Sequence, residues 1–220
     1  MNKLLILLMA FALFACETDS YDKGEGTYSL TRADFAELAV NSQKQGVSFT
    51  TDEGDHYVLS PSTTASWIQK GDTTYRASIY YNKVEEGKAK AVSLISMPTI
   101  RPHEADFFNT QPQDPLGVES WWLSKNGRYL NLGLLLKNGR DDNGKEGTHA
   151  LAVICDETHL NDDQTHTAYY RLLHDQGEAP QYYTNRRYVS ILLPTASRPD
   201  SVRLTVKTYE GNVIKTFKLN

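Results

Sequence analysis

Residues 129–137 read YLNLGLLLK. Leu130, Leu132, Leu134 and Leu136 fall at every second position. A repeat of two places them on one face of an extended chain, whereas a helix would need spacings of three and four. This stretch is therefore a strand with one apolar face. The same pattern recurs in six neighbouring runs, at 118–124, 149–156, 166–174, 186–193, 202–208 and 213–219. In the run 202–208, Val202, Leu204 and Val206 point one way while Arg203, Thr205 and Lys207 point to water. Gly, Asn and Asp punctuate the intervals. Seven short alternating strands over 116–220 predict an immunoglobulin-like β-sandwich.

The residues before it are also strand-like. Runs at 28–40, 47–51, 56–60, 75–84 and 88–97 are separated by turn residues, Asp52-Glu53-Gly54-Asp55 and Glu85-Glu86-Gly87 among them. Residues 32–40 (RADFAELAV) have some helix propensity, but they are brief and lack a Gly stop, so strand is preferred. Five strands over 27–97 predict a small barrel of the OB type. The expected fold class is all-β, a five-stranded OB-like barrel followed by a seven-stranded sandwich. Four of the eight prolines fall between Met97 and Pro115, so 98–115 reads as a linker and domain boundary. Phe107 and Phe108 within it are expected to pin it against a domain.

The first residues read as a targeting segment. Lys3 precedes an uninterrupted apolar run, LLILLMAFALF at 4–14, which is shorter than the roughly 20 residues a bilayer span needs. Leu13-Phe14-Ala15-Cys16 follows and resembles the lipobox of bacterial lipoproteins. That resemblance implies a signal peptide at 1–15, lipid attached to Cys16, and anchorage in a membrane without a spanning helix. Residues 16–26 are polar and acidic and read as a flexible tether. Glu17, Asp19 and Asp22 resemble an export signal, so the expected location is the outer membrane, with exposure at the cell surface. Removing 15 residues from 220 leaves 205, and losing Lys3 shifts the formal charge from −4 to about −5. A mildly acidic chain argues against nucleic acid, whose binding rests on basic patches. With Cys16 acylated, Cys155 has no intrachain partner. It lies in the apolar run ALAVICD beside Asp156 and Glu157, and reads as a buried, inert thiol.

The order of these features resembles the NigD-like lipoproteins of Gram-negative anaerobes. Asp52, Gly54, Leu59 and Pro61 resemble that family's turn between its second and third strands, and Gly71, Val92 and Leu94 match later positions. Trp122, Gly127, Tyr129, Leu130 and Asn131 resemble its opening hairpin in the second half, followed by His149 and by Tyr170, Leu172 and His174. The resemblance implies an OB-like first domain and a β-sandwich second domain. It carries over no catalytic residue. The family name adds a bacteriocin-associated or immunity role as one alternative.

Known chemical motifs are missing from the sequence: there is no G-x-S-x-G elbow, no phosphate loop and no paired zinc cysteines. His159 and His166 flank Asp162 and Asp163, but the spacing fits no standard zinc pattern and a solvated turn accounts for it. The run 141–146 (DDNGKE) opens like a calcium loop but reads as a hairpin turn, since no Glu stands at the twelfth position. No enzyme activity, metal or cofactor is expected. Candidate binding residues are aromatic. Trp121 and Trp122 are adjacent on a strand, so they point to opposite faces and cannot share one core. One is expected inside the sandwich. The other lies at a fixed interdomain contact with Phe107 or Phe108, or stands exposed as an anchor for a protein or glycan. Tyr182-Tyr183 pose the same question. These residues suggest a binding module, with a glycan-capture lipoprotein as a further alternative.

Overall fold

A computed structural model describes residues 30–219, and every regular element among them is a β-strand. Cys16, the signal segment and the proposed tether lie outside the described residues. The first five strands are β1 (Arg32–Val40), β2 (Gly46–Thr51), β3 (His56–Thr63), β4 (Thr73–Glu85) and β5 (Lys88–Ser96). They close into a barrel in the order β1-β2-β3-β5-β4, with β4 paired back onto β1. Closure removes the unpaired edges that an open sheet of this size would leave. The strand alternative for residues 32–40 is the observed one. Ala36, Leu38 and Val40 alternate into the barrel core, where Phe49, Tyr57, Ile79 and Tyr81 meet them. Ile68, from the loop after β3, adds to that core, and the Trp67 indole N–H donates to the Leu94 carbonyl at 3.0 Å. The turn after β2 needs Gly54, whose φ of 95° is costly for a residue with a Cβ.

The proline-rich segment is not a bare linker. It supplies β6 (Thr99–Ile100) and β7 (Pro102–Glu104). Seven strands follow as expected: β8 (Gly117–Leu123), β9 (Tyr129–Asn138), β10 (Ala150–Leu160), β11 (His166–Asp175), β12 (Tyr183–Leu192), β13 (Ser201–Thr208) and β14 (Gly211–Lys218). They form two sheets, β14-β13-β11-β10-β7 and β6-β12-β9-β8. The sandwich therefore has nine strands, two more than the sequence pattern gave. Both additions are edge strands that pair in parallel, β7 with β10 and β6 with β12. Pro102 is tolerated because it is the first residue of an edge strand, where no ladder hydrogen bond is broken. Further along, Asp114 N–H donates to the His174 carbonyl at 2.9 Å, fastening the rest of the segment to β11. Phe107 and Phe108 stay beside β7: Phe107 stacks on His103 at 4.0 Å, and Phe108 meets both rings edge-on.

The leucine ladder of β9 faces the sandwich core, where Leu130, Leu132, Leu134 and Leu136 meet Val153, Tyr170, Val189, Ile191, Val202 and Leu204. Burying each such leucine contributes about 1.5–3 kcal/mol. The opposite face of β9 is buried too, although it carries Tyr129, Asn131 and Gly133. Barrel residues cover Tyr129 and Asn131, Ser120 and Tyr188 cover Gly133, and residues 32–219 belong to one compact unit that holds both barrel and sandwich.

Candidate functional site

The covered face of β9 is the root of the site. Asn131 and Ser190, partners across β9 and β12, are both fully buried there. The Ser190 hydroxyl donates to Asn131 Oδ1 at 2.7 Å. From the barrel, Arg76 on β4 inserts a side chain that is only 3% exposed. Its guanidinium grips both oxygens of Asp52 at 2.6 Å each and donates to Ser190 Oγ and Asn131 Oδ1 at 3.1 Å. Asn131 Nδ2 closes the circuit by donating to Asp52 at 2.8 Å. The guanidinium also lies 4.0 Å from the Tyr129 ring centroid. Such a pair is tolerable in a dry interface because every charge finds partners. At its margin, Arg128 and the Tyr129 hydroxyl both reach Glu37 of β1, at 2.8 and 2.7 Å. Burial, and then the bond to Glu37, pushes the Tyr129 hydroxyl up to about 12, so it stays a donor.

Beside this junction the two halves leave a cleft of about 630 Å³. On the barrel wall stand Asp34, Phe35, Glu53, Ser78, Tyr80 and Ile95, and on the sandwich wall Trp122, Arg186, Arg187 and Tyr188. Three of its lining rings cluster. Phe35 lies 5.4 Å from Trp122 and 5.5 Å from Tyr188, and Trp122 meets Tyr188 at 6.3 Å. Gly133 makes room for this cluster: a Cβ there would stand 3.1 Å from the Tyr188 ring and 2.5 Å from Ser120 Oγ. Tyr80, Ile95 and Tyr188 remain exposed, at 39%, 49% and 37%. Asp34 accepts from the Tyr81 hydroxyl at 2.8 Å, and Arg186 pairs with Glu119 at 2.5 Å. Arg187 makes no ion pair among the described residues.

The two tryptophans divide as their adjacency requires. Trp121 pairs with Leu132 and packs on the sandwich core near Phe217, while Trp122 pairs with Asn131 and turns to the barrel. The interdomain aromatic contact is therefore real, but its partners are Phe35 and Tyr188, and Phe107 and Phe108 gather on His103 instead. Tyr182 and Tyr183 lie outside the cleft, 77% and 42% exposed. Sequence reasoning missed Phe35, Arg76 and Tyr188, and read Asp52 only as a turn residue. The one signal for them was the polar and small side of β9, Asn131 and Gly133, in a strand too apolar to have a wet face.

The other sequence candidates resolve into structure. Asp141 Oδ1 accepts the N–H groups of Asn143 and Lys145 at 2.9 Å, which is a turn closed on itself. His159 and His166 sit near a hairpin end, and no group of three or more metal-ligating side chains occurs among the described residues. Burial raises the Cys155 thiol, which disfavours a thiolate. A second histidine contact does occur: His149 Nδ1 and His174 Nε2 are 2.9 Å apart, and His174 Nδ1 is 3.0 Å from the Asp114 carbonyl.

A closed five-stranded barrel clasped to a nine-stranded sandwich defines an all-β class of two-part proteins, and the comparisons fall within it. The chain has the fold of a NigD-like immunity protein from Bacteroides caccae, with a TM-score of 0.62, 19% identity, and coverage of 86% of this chain and 97% of that one. A protein from Parabacteroides distasonis described as toxin-related gives 0.65 and 17%, covering 86% and 93%. A protein from Bacteroides fragilis described as a lipoprotein gives 0.56 and 12%, covering 86% and 96%. The resemblance to NigD-like proteins read from the sequence thus holds at the level of the fold. No family model and no curated protein matches the sequence.

Proposed function

We propose that this chain is a non-enzymatic lipoprotein of the cell envelope that holds a ligand or partner in the cleft between barrel and sandwich. The observation that carries the reading is the cleft itself: about 630 Å³, preformed, and lined by aromatic rings together with polar and charged side chains. Those are the attributes of a small-ligand seat. The engagement of Asp34 and Asp52 in fixed bonds and the raised Cys155 thiol favour binding over catalysis. Anchorage through lipid on Cys16 rests on the leader sequence and is supported by the fold likeness to the B. fragilis protein described as a lipoprotein; the outer membrane and the cell exterior rest on the leader and the acidic residues after Cys16 alone. No nucleic acid or cofactor enters this reading. A second reading, an accessory to bacteriocin immunity, is favoured by the fold likeness to the B. caccae protein.

Hydroxyl-radical footprinting tests the cleft without naming its ligand. On intact cells Tyr80 and Tyr188 should be modified more slowly than on the purified protein, while Tyr182 should react at the same rate in both. Equal rates for all three tyrosines would refute the reading. Fractionation tests the anchor: Cys16→Ser should leave the membrane fraction or accumulate as precursor.

A further inference from the structure

We infer that the ligand of the cleft is a saccharide, a deduction that rests on the cleft being a binding seat. The composition of the walls separates this ligand from a peptide helix or an apolar molecule. A helix groove is lined mainly by aliphatic side chains that take an apolar stripe. Here the large exposed apolar side chains are two rings, Tyr80 and Tyr188, and a single long aliphatic, Ile95; Ala33 and Pro98 add small exposed groups, and Trp122 and Phe35 are half-buried. Around the rings stand short polar groups with limited freedom. Ser78 offers a hydroxyl, Glu53 offers carboxylate oxygens, and Arg186, on the same face of β12 as Tyr188, offers the guanidinium that pairs with Glu119.

This arrangement matches the two chemistries of a pyranose. Its axial C–H bonds form a weakly apolar face that packs on an aromatic ring, and its edge carries hydroxyls that both donate and accept. Carboxylates accept from adjacent hydroxyls, and a guanidinium donates to a pair of oxygens with fixed spacing. Charges of both signs on facing walls, Glu53 on the barrel and Arg186 on the sandwich, suit a neutral polyhydroxyl ligand better than an anion, which Glu53 would repel. The Tyr188 ring is set over Gly133 and flanked by Phe35 and Trp122, so its plane is held before the ligand arrives. The cleft is open along one side and its volume falls in the range of about 300–1,000 Å³ typical of small-ligand sites. A sugar unit within a longer chain fits such a cleft.

The test is titration of the intact protein with cellotetraose, maltotetraose, xylotetraose, mannotetraose and chitotetraose, followed by calorimetry and by tryptophan fluorescence. At least one should bind with a dissociation constant below about 1 mM. Tyr80→Ala and Arg186→Gln, both at exposed positions, should weaken that binding by about tenfold or more without changing the thermal midpoint. Tyr182→Ala, outside the cleft, should leave it unchanged. Absence of binding by all five sugars, or binding that survives both cleft variants, overturns the saccharide inference. Tyrosine protection on cells combined with no saccharide binding would overturn this inference alone and leave the cleft as a seat for another ligand. Enrichment of peptides that compete at Tyr188 would also overturn it.

Discussion

Removing the Arg76 guanidinium should loosen the barrel from the sandwich. In Arg76→Ala, Asp52 would keep one strong side-chain donor, Asn131 Nδ2 at 2.8 Å, and lose two bonds of 2.6 Å from the guanidinium. The Asp52 side chain is only 11% exposed, so water reaches it poorly. Ser190 and Asn131 would lose donors in the same step, and Tyr129 would lose the cation above its ring. Breaking a buried pair from one side costs about 3–5 kcal/mol, because an uncompensated charge stays behind. For a unit of this size that corresponds to a fall of about 6–20 °C in Tm. Urea titration followed by circular dichroism and by fluorescence reads both halves, since Trp67 reports the barrel and Trp121 and Trp122 the sandwich. Arg76→Met with Asp52→Asn should recover part of the loss, and the cycle should return a coupling of about 0.5–3 kcal/mol. A single variant that loses less than about 1 kcal/mol, or a cycle with no coupling, would refute the view that this pair clasps the two halves.

Three further outcomes are expected. Burial, and then His174 and Arg187, hold His149 below its ordinary value, so the unfolded chain binds the proton more tightly and stability should fall as pH drops below about 6.5. Denaturant midpoints from pH 8 to pH 5 check this, and His149→Gln should flatten the slope. Gly133→Ala should lose about 1–3 kcal/mol, because the new methyl would enter the space of Ser120 Oγ and the Tyr188 ring; chemical denaturation measures it. Leu132→Ala, at a fully buried site, should lose about 2–5 kcal/mol by the same assay, whereas Tyr182→Ala should change little.

What the sequence showed and what it hid follow from range. The strands of the barrel and the seven longer strands of the sandwich are visible because alternation is a local signal. β6 and β7 escaped because two or three residues cannot display a period, and Pro102 signals a break everywhere except at a sheet edge. The clasp escaped for another reason. Arg76 lies in β4 between Tyr75 and Ala77, out of phase with the barrel core, and so reads as a charge facing water. Its partners Asn131 and Ser190 are 55 and 114 residues away. Only the sandwich, laid against the barrel's outer surface, turns that solvent face into an interior.

That double burial also determines how the cleft behaves. Asp52 is held by Arg76, and Glu53, the next residue, stands on the barrel wall; Asn131 is held on the other side, and its cross-strand neighbour Trp122 stands on the sandwich wall. The groups that fasten the halves are thus one residue, or one strand pair, away from the groups that line the cleft. Hinge opening would have to break the buried ion pair and the Arg128–Glu37 contact together. The walls therefore approach a ligand already set, and little ordering entropy remains to be lost on binding. The same logic explains why Gly133 stands opposite the leucine ladder that anchors β9: the strand packs tightly on one face so that, on the other, the Tyr188 ring approaches its backbone closely and frames the cleft.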